Sequence, residues 1–94
     1  MGDYQTQRVT AKDIFAGQIR LPITNDAKSL FPRTRGDVRI RLRGQSMTVR
    51  YDPRHGADRE RSGVLRIGRS VMATGIVAPD ERLTMTPGDP VSID

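Results

Sequence analysis

Three runs in which apolar and polar residues alternate constrain this chain more than any other feature. The apolar positions are Ile19, Leu21 and Ile23, then Val38, Ile40 and Leu42, then Met47, Val49 and Tyr51. Because successive side chains of a strand point to opposite faces, each run predicts a strand with one buried face. Gly44 and Gln45 separate the second and third runs, and a glycine that opens a two-residue loop favours a type II′ hairpin there.

Two short helices are expected to interrupt the strands. The first is predicted from Asp26 to Leu30, where cap residues precede the turn and Pro32 follows it. The second is predicted from Ser70 to Val77 and is weakened by Gly75, because glycine is a poor helix former. A helical share this small leaves β structure as the main component.

The C-terminal residues predict one more turn and strand. Pro87, Gly88 and Asp89 form a turn signal that leads into a final strand through Val91 and Ile93. Several short strands separated by turn signals favour a closed or nearly closed β-barrel over a sheet of alternating strands and helices. We therefore expect a mainly β fold, with residues 1–94 forming one domain.

The charge of the chain favours an anionic partner. Fourteen arginines and two lysines give a net charge of +5, and the planar guanidinium suits both phosphate and base edges. An arginine-rich genome is the alternative explanation for the same composition.

The absence of cysteine excludes disulfides and thiolate zinc sites, and no apolar run approaches the ~18 residues of a membrane span. The N-terminal MGDYQTQRVT lacks the apolar segment of a signal peptide, so we expect a cytoplasmic bacterial protein.

Five segments occur in an order that is typical of one known family. They are TAKDIFAGQIRLP from Thr10 to Pro22, DAKSLFP, MTVRYDP, GVLRIGR and LTMTPGDPVSI. Together they span nearly the whole chain, which resembles the plant-type B-three DNA-binding pseudobarrel superfamily. The lack of tryptophan and the short length favour the bacterial branch, the DNA-recognition domains of some restriction endonucleases.

The resemblance implies a seven-stranded open pseudobarrel with two short α-helices. It also implies two arms that grip the major groove of DNA: an N-arm from Lys12 to Arg20 and a C-arm from Arg54 to Ser62. The chain would then be the target-recognition or effector domain of a restriction endonuclease whose nuclease domain lies outside this sequence. A naturally small protein is the alternative.

The C-arm is the most polar segment of the chain. Its predicted DNA-binding residues are Arg54, His55, Asp58, Arg59, Glu60, Arg61 and Ser62. Arginine can donate twice to guanine, while aspartate or glutamate can accept from the cytosine amino group. The mixed charges therefore suit base reading, with Arg59 and Arg61 as the leading candidates. The alternative is an ordinary charged surface loop whose ion pairs contribute little.

The N-arm supplies Lys12, Gln18 and Arg20 as hydrogen-bond donors and Asp13 as an acceptor. Gly17 is expected to let the backbone approach the duplex closely. Phe15 is expected to anchor the arm in the core, the alternative being an apolar contact to a thymine methyl group.

A third basic element is the stripe Arg39, Arg41 and Arg43. Their spacing of two places them on one face of a strand whose other face is apolar. Such a stripe, helped by Arg33 and Arg35, can contact phosphates and add affinity without sequence choice. The alternative is a solvated barrel face with no binding role.

The sequence contains no convincing active site, so we predict no enzymatic activity, cofactor or metal. Asp13, Asp26 and Lys28 superficially resemble the carboxylate–carboxylate–lysine pattern of metal-dependent nucleases. However, Asp26 stands where a helix cap is expected, which explains it without a metal. His55 is the sole histidine, and no second histidine or cysteine accompanies it for zinc.

These observations predict sequence-specific binding of double-stranded DNA by a monomeric domain. A small basic barrel that binds RNA or single strands is the runner-up, but such surfaces stack bases on exposed aromatics, and the chain has only four aromatic residues. A protein-interaction barrel with an acidic partner is a third hypothesis that the charge alone permits.

Overall fold

A computed structural model describes residues 4–22, 29–32, 34–54 and 62–94 of the chain. Its architecture is mainly β, a seven-stranded mixed sheet curled into a half-barrel with two short helices, as predicted. The strands are β1 Tyr4–Gln5, β2 Gln18–Arg20, β3 Gly36–Leu42, β4 Gln45–Asp52, β5 Val64–Arg66, β6 Thr84–Thr86 and β7 Val91–Ile93. The helices are α1 Ala11–Ala16 and α2 Arg69–Met72.

The strand order in the sheet is β1-β6-β7-β3-β4-β5-β2, and the pairing of β3 with β7 is parallel. The chain segment after β1 bridges the two ends of this sheet. On one side Thr6 N–H donates to Leu83 O at 2.9 Å, and on the other Gln7 N–H donates to Arg20 O at 3.0 Å. This bridge brings β2 back towards β6, which gives the open pseudobarrel its seam.

The hairpin predicted between β3 and β4 is present, with its loop one residue earlier than expected. Leu42 pairs with Gln45, so the two loop residues are Arg43 and Gly44. Both have positive φ, 48° and 86°, which is the type I′ geometry rather than type II′. Type I′ turns match the right-handed twist of paired strands, and glycine adopts the second position without strain.

The alternation of apolar residues correctly predicted the core at the described positions, with Val38 and Met47 half-buried against it, while Ile23 lies outside the described residues. Ile19, Leu21, Ile40, Leu42 and Tyr51 are fully buried. Phe31 stacks on Tyr51 with ring centroids 4.9 Å apart. The turn at residues 87–90 leads into β7, whose Val91 and Ile93 also lie in the core as predicted. Burial of this apolar surface is the main force that holds the curled sheet together.

The helices differ from the prediction at two places, α1 and α2. The sequence analysis missed α1, which begins at a capping box formed by Thr10 and Asp13. Of the helix predicted from Asp26 to Leu30, only a short 3-10 turn at Ser29–Leu30 falls among the described residues. The helix predicted from Ser70 to Val77 is shorter and begins earlier, at Arg69–Met72. It ends there because Thr74 donates from its N–H and its hydroxyl to the Val71 carbonyl, which forms a tighter turn.

Within the described ranges, no helix is both long and apolar enough to cross a membrane.

Candidate nucleic-acid interface

Four exposed arginines on three neighbouring strands form the most basic surface of the sheet. They are Arg39 and Arg41 on β3, Arg50 on β4 and Arg66 on β5, and we call them the arginine face. The pairing register joins them, because Arg39 lies opposite Thr48, Arg41 opposite Ser46, and Arg50 opposite Arg66. No salt bridge is seen between these four side chains and any described carboxylate. The exposed Asp37 lies opposite Arg50 on the same face, so the described part of this face carries more positive than negative charge.

Arg43, the third member of the predicted stripe, has a different environment. It lies in the hairpin turn, and its guanidinium forms a two-point salt bridge with Glu81, at 2.8 Å and 3.1 Å. It also donates to Ile76 O at 2.9 Å. The Arg43 hydrogen bonds, followed by one from Ala78 N–H, hold the pKa of Glu81 below its usual value. Arg43 therefore connects the turn to the segment before β6, while Arg39 and Arg41 remain open to solvent.

Asp13 is the centre of a hydrogen-bonded network inside the N-arm. Its side chain is 3% exposed and pairs with Arg20, Nε and Nη2 donating at 2.9 Å and 3.0 Å. Gln18 Nε2 donates to Oδ1 at 2.9 Å, and Thr10 N–H donates to Oδ2 at 3.0 Å. The predicted acceptor for DNA is therefore occupied by its own arm. Three of the predicted N-arm residues, Asp13, Gln18 and Arg20, do come together.

This network also determines the charge state of Asp13. Burial by itself raises the pKa of the carboxyl, but hydrogen bonds from Arg20, Gln18 and the Thr10 backbone outweigh burial and hold the pKa below its usual value. The carboxylate is thus ionised at neutral pH and compensates the charge of Arg20. Neither side chain adds net charge to the surface of the arm.

Gly17 packs against protein rather than presenting an open backbone. It has φ 73° and ends α1, and its carbonyl accepts from Gly68 N–H at 2.9 Å. A Cβ at this position would lie 2.6 Å from both Gly68 C and Arg69 N. The expectation that Gly17 allows close approach to a duplex is therefore wrong, because the approach it allows is between α1 and the start of α2.

Phe15 is exposed, and the expectation that it anchors the arm in the core is wrong. Its side chain is 74% exposed, because the apolar contact of α1 with the core is made by Ile14 instead. The Arg69 guanidinium carbon lies 5.4 Å from the centre of the Phe15 ring, a cation–π geometry. Lys12, one turn earlier on α1, is also exposed. The tip of the N-arm therefore combines an apolar ring with Lys12, and Arg69 of α2 lies beside the ring.

The structure describes the two ends of the C-arm. At its start, Arg54 adopts φ 53° and its N–H donates to the Asp52 carboxylate at 2.9 Å. At its end, Ser62 accepts a hydrogen bond from the Gln7 side chain, which also donates to Leu21 O. The loop thus ends beside the seam of the barrel. The remaining predicted C-arm residues, His55, Asp58, Arg59, Glu60 and Arg61, lie outside the described residues.

The residues considered for metal chemistry are not assembled into a site in the described part of the chain. Asp13 is engaged by Arg20, while Asp26 and Lys28 lie outside the described residues. Among residues 4–22, 29–32, 34–54 and 62–94, no group of three or more metal-ligating side chains is close enough to hold an ion.

Sequence reasoning missed five exposed arginines: Arg8, Arg50, Arg66, Arg69 and Arg82. Arg50 had a signal, since it occupies a polar position between Val49 and Tyr51 in the third alternating run. Arg66 joins the arginine face only through the pairing of β4 with β5, and Arg69 reaches Phe15 only through the packing of α2 beside α1. Those two depend on tertiary structure.

Comparison with known proteins adds no further assignment. No family model matches this chain, and no curated protein sequence matches it. Its function is therefore inferred from the charges and contacts described above.

Proposed function

We propose that this chain binds double-stranded DNA in a sequence-specific manner, as the target-recognition or effector domain of a restriction endonuclease. The observation that supports the proposal most is the arginine face, whose four guanidiniums lack carboxylate partners among the described residues. A duplex offers a regular array of phosphates that such a surface can contact, with release of condensed counterions.

The arginine face continues towards the N-arm. Arg66 on β5 pairs with Gln18 on β2, directly after α1, so the basic surface extends from β3 across β4 and β5 to the arm. Phosphate contacts along such a band orient a protein on DNA without reading sequence. Recognition of the DNA sequence then depends on other side chains, those that reach base edges.

Phe15 and Lys12 are the N-arm side chains available for that contact. The exposed ring suits the alternative considered above, an apolar contact to a thymine methyl group in the major groove. Asp13, Gln18 and Arg20 instead act within the arm by holding its shape. In the C-arm, Arg59 and Arg61 remain the proposed base-reading residues, with Asp58 or Glu60 orienting them.

The exposure of the aromatic residues favours a duplex over a single strand as the ligand. Of the four aromatic residues, Phe31 and Tyr51 are buried, Tyr4 is partly buried and Phe15 is exposed. Single-strand binders stack successive bases on several aromatic side chains, and one exposed ring provides a single platform. The duplex is therefore the favoured ligand.

Fluorescence-anisotropy titration of a labelled duplex at several salt concentrations tests the proposal, with the single strand as competitor. We expect the double variant Arg39→Ala/Arg41→Ala to weaken binding to all duplexes alike. The slope of log K against log salt should become shallower by about 1 for each arginine that contacts a phosphate.

Arg43→Ala is the control for the loss of one arginine charge, because it removes that charge from a side chain already paired with Glu81. Its slope should stay close to that of the unmodified chain. Equal losses in the Arg43 and the Arg39/Arg41 variants, or tighter binding of the single strand, would contradict the proposed interface.

A further inference from the structure

A polar cleft lies at the seam of the pseudobarrel, apart from the arginine face. Its volume is about 390 Å³. The lining includes Gln5, Gln7, Arg8, Thr10, Arg20 and Arg82. No carboxylate is among the described residues that line it. The cleft thus combines three guanidiniums with amide and hydroxyl groups.

Two of these guanidiniums come from adjacent chain segments. Thr6 N–H donates to Leu83 O at 2.9 Å, and Val9 N–H donates to Glu81 O at 2.7 Å. These hydrogen bonds hold the segment containing Arg8 beside the segment containing Arg82. Like charges on neighbouring extended segments repel each other, so an anion placed between them would be attracted by both.

Two of the three described carboxylates nearest the cleft are engaged elsewhere, and the third, Asp80, whose N–H donates to Val9 O at 2.6 Å, is not among the lining residues. Glu81, next to Arg82, pairs with Arg43, and Asp13 pairs with Arg20. Arg8 and Arg82 are exposed and form no salt bridge with a described residue. The charge of the cleft is therefore supplied by Arg8 and Arg82, while Arg20 contributes donors without net charge.

Arg20 and Gln7 form a preorganised wall of the cleft. Arg20 Nη1 donates to Gln7 Oε1 at 2.9 Å, while Gln7 Nε2 donates to Leu21 O at 3.2 Å and to the Ser62 hydroxyl. Because the wall is already bonded in place, little side-chain freedom would be lost there when a ligand binds.

From this arrangement we infer that the seam cleft is a binding site for a phosphate group, held between the Arg8 and Arg82 guanidiniums. Two guanidiniums suit the several oxygens and high charge of phosphate, each donating up to two parallel hydrogen bonds. The Thr10 hydroxyl and the Gln5 amide lie in the same lining and can complete the polar contacts. The inference does not depend on the proposed DNA binding, because a free phosphate or a DNA phosphate has the same chemistry.

Titration of the 94-residue chain with inorganic pyrophosphate, followed by amide NMR shifts at constant ionic strength, tests this site. We expect saturable shifts centred on residues 5–10 and 81–83. The double variant Arg8→Gln/Arg82→Gln should weaken pyrophosphate binding at least about tenfold, since each substitution removes charge-assisted hydrogen bonds. Arg39→Gln/Arg41→Gln, with the same loss of charge on the arginine face, is the matched control and should bind as the unmodified chain does. Thermal melting of each variant verifies its folding.

A duplex titration of the same variants distinguishes the two sources of the phosphate group. A selective loss of duplex affinity in Arg8→Gln/Arg82→Gln would assign a DNA phosphate to the cleft, while loss of pyrophosphate binding alone would assign a free anion. Non-saturating shifts spread over the arginine face, or equal pyrophosphate affinity in the two double variants, would overturn the site. If the site were overturned but the chain still bound the duplex, the proposed function would not be affected. If pyrophosphate binding were saturable but the chain did not bind the duplex, only the proposed function would be overturned.

Discussion

Asp13 shows how one residue can have the chemistry of a ligand-binding group and act structurally. Its carboxylate caps α1 through the Thr10 backbone and pairs with Arg20, which also reaches Gln7 and the Arg8 carbonyl. The sequence correctly grouped Asp13, Gln18 and Arg20 in one arm. The sequence could not show that these three side chains hydrogen-bond to one another, because those contacts depend on the turn at Gly17.

The low pKa of Asp13 gives a pH dependence with a defined sign. A carboxyl whose pKa is lower in the folded state stabilises the fold above its unfolded pKa of about 3.8, and that contribution disappears as the pH falls through the folded pKa. Asp13→Asn should therefore cost about 1.5–3 kcal/mol at pH 7 and much less at pH 2.5. Urea unfolding at both pH values measures this.

Asp37→Asn is the control for this prediction, since Asp37 is exposed on β3 and its replacement should have a small effect at either pH. A cost for Asp13→Asn that is the same at pH 7 and pH 2.5 would show that the ionised carboxylate does not stabilise the arm.

At the scale of elements, the sequence predicted strands better than helices. A period of two is evident in β2, β3 and β4 because one face of each is buried, and the turn chemistry of Gly44 marked the hairpin to within one residue. The helices are too short, at six and four residues, to show a helical period. The capping signal of α1, Thr10 followed three residues later by Asp13, is present in the sequence at the start of the predicted N-arm.

The contact between α1 and α2 rests on Gly17, which leads to a second stability prediction. Gly17→Ala forces a side chain into a left-handed conformation, which costs of order 1 kcal/mol or more, and brings its Cβ against the backbone of Gly68 and Arg69. We expect a lower free energy of unfolding and a displaced Phe15 and Arg69, measured by urea unfolding and amide NMR.

Gly44→Ala is a useful comparison, because Gly44 also has positive φ but nothing lies within 4 Å of a Cβ there. It shares the conformational cost without the clash and should destabilise less. An equal effect of the two substitutions would show that the close approach of α1 to α2 contributes nothing.

At the scale of the whole molecule, the charge is unevenly compensated. Arg20 and Arg43 are paired with Asp13 and Glu81 and tie distant parts of the chain together. The arginine face and the seam cleft retain guanidiniums that form no salt bridge with a described residue, on different parts of the barrel. The number of arginines is evident from the sequence. Which arginines are available to a partner depends on ion pairs between distant residues, such as Arg43 and Glu81, 38 positions apart.

Selection of a randomised DNA duplex library on the purified 94-residue chain at moderate salt, followed by sequencing of the retained pool, tests the central claim most directly. Sequence-specific recognition predicts enrichment of a motif of a few base pairs, because each bidentate base contact discriminates by about 1–3 kcal/mol. Retention of duplexes without enrichment, or no retention even at low salt, would contradict sequence-specific recognition by this domain.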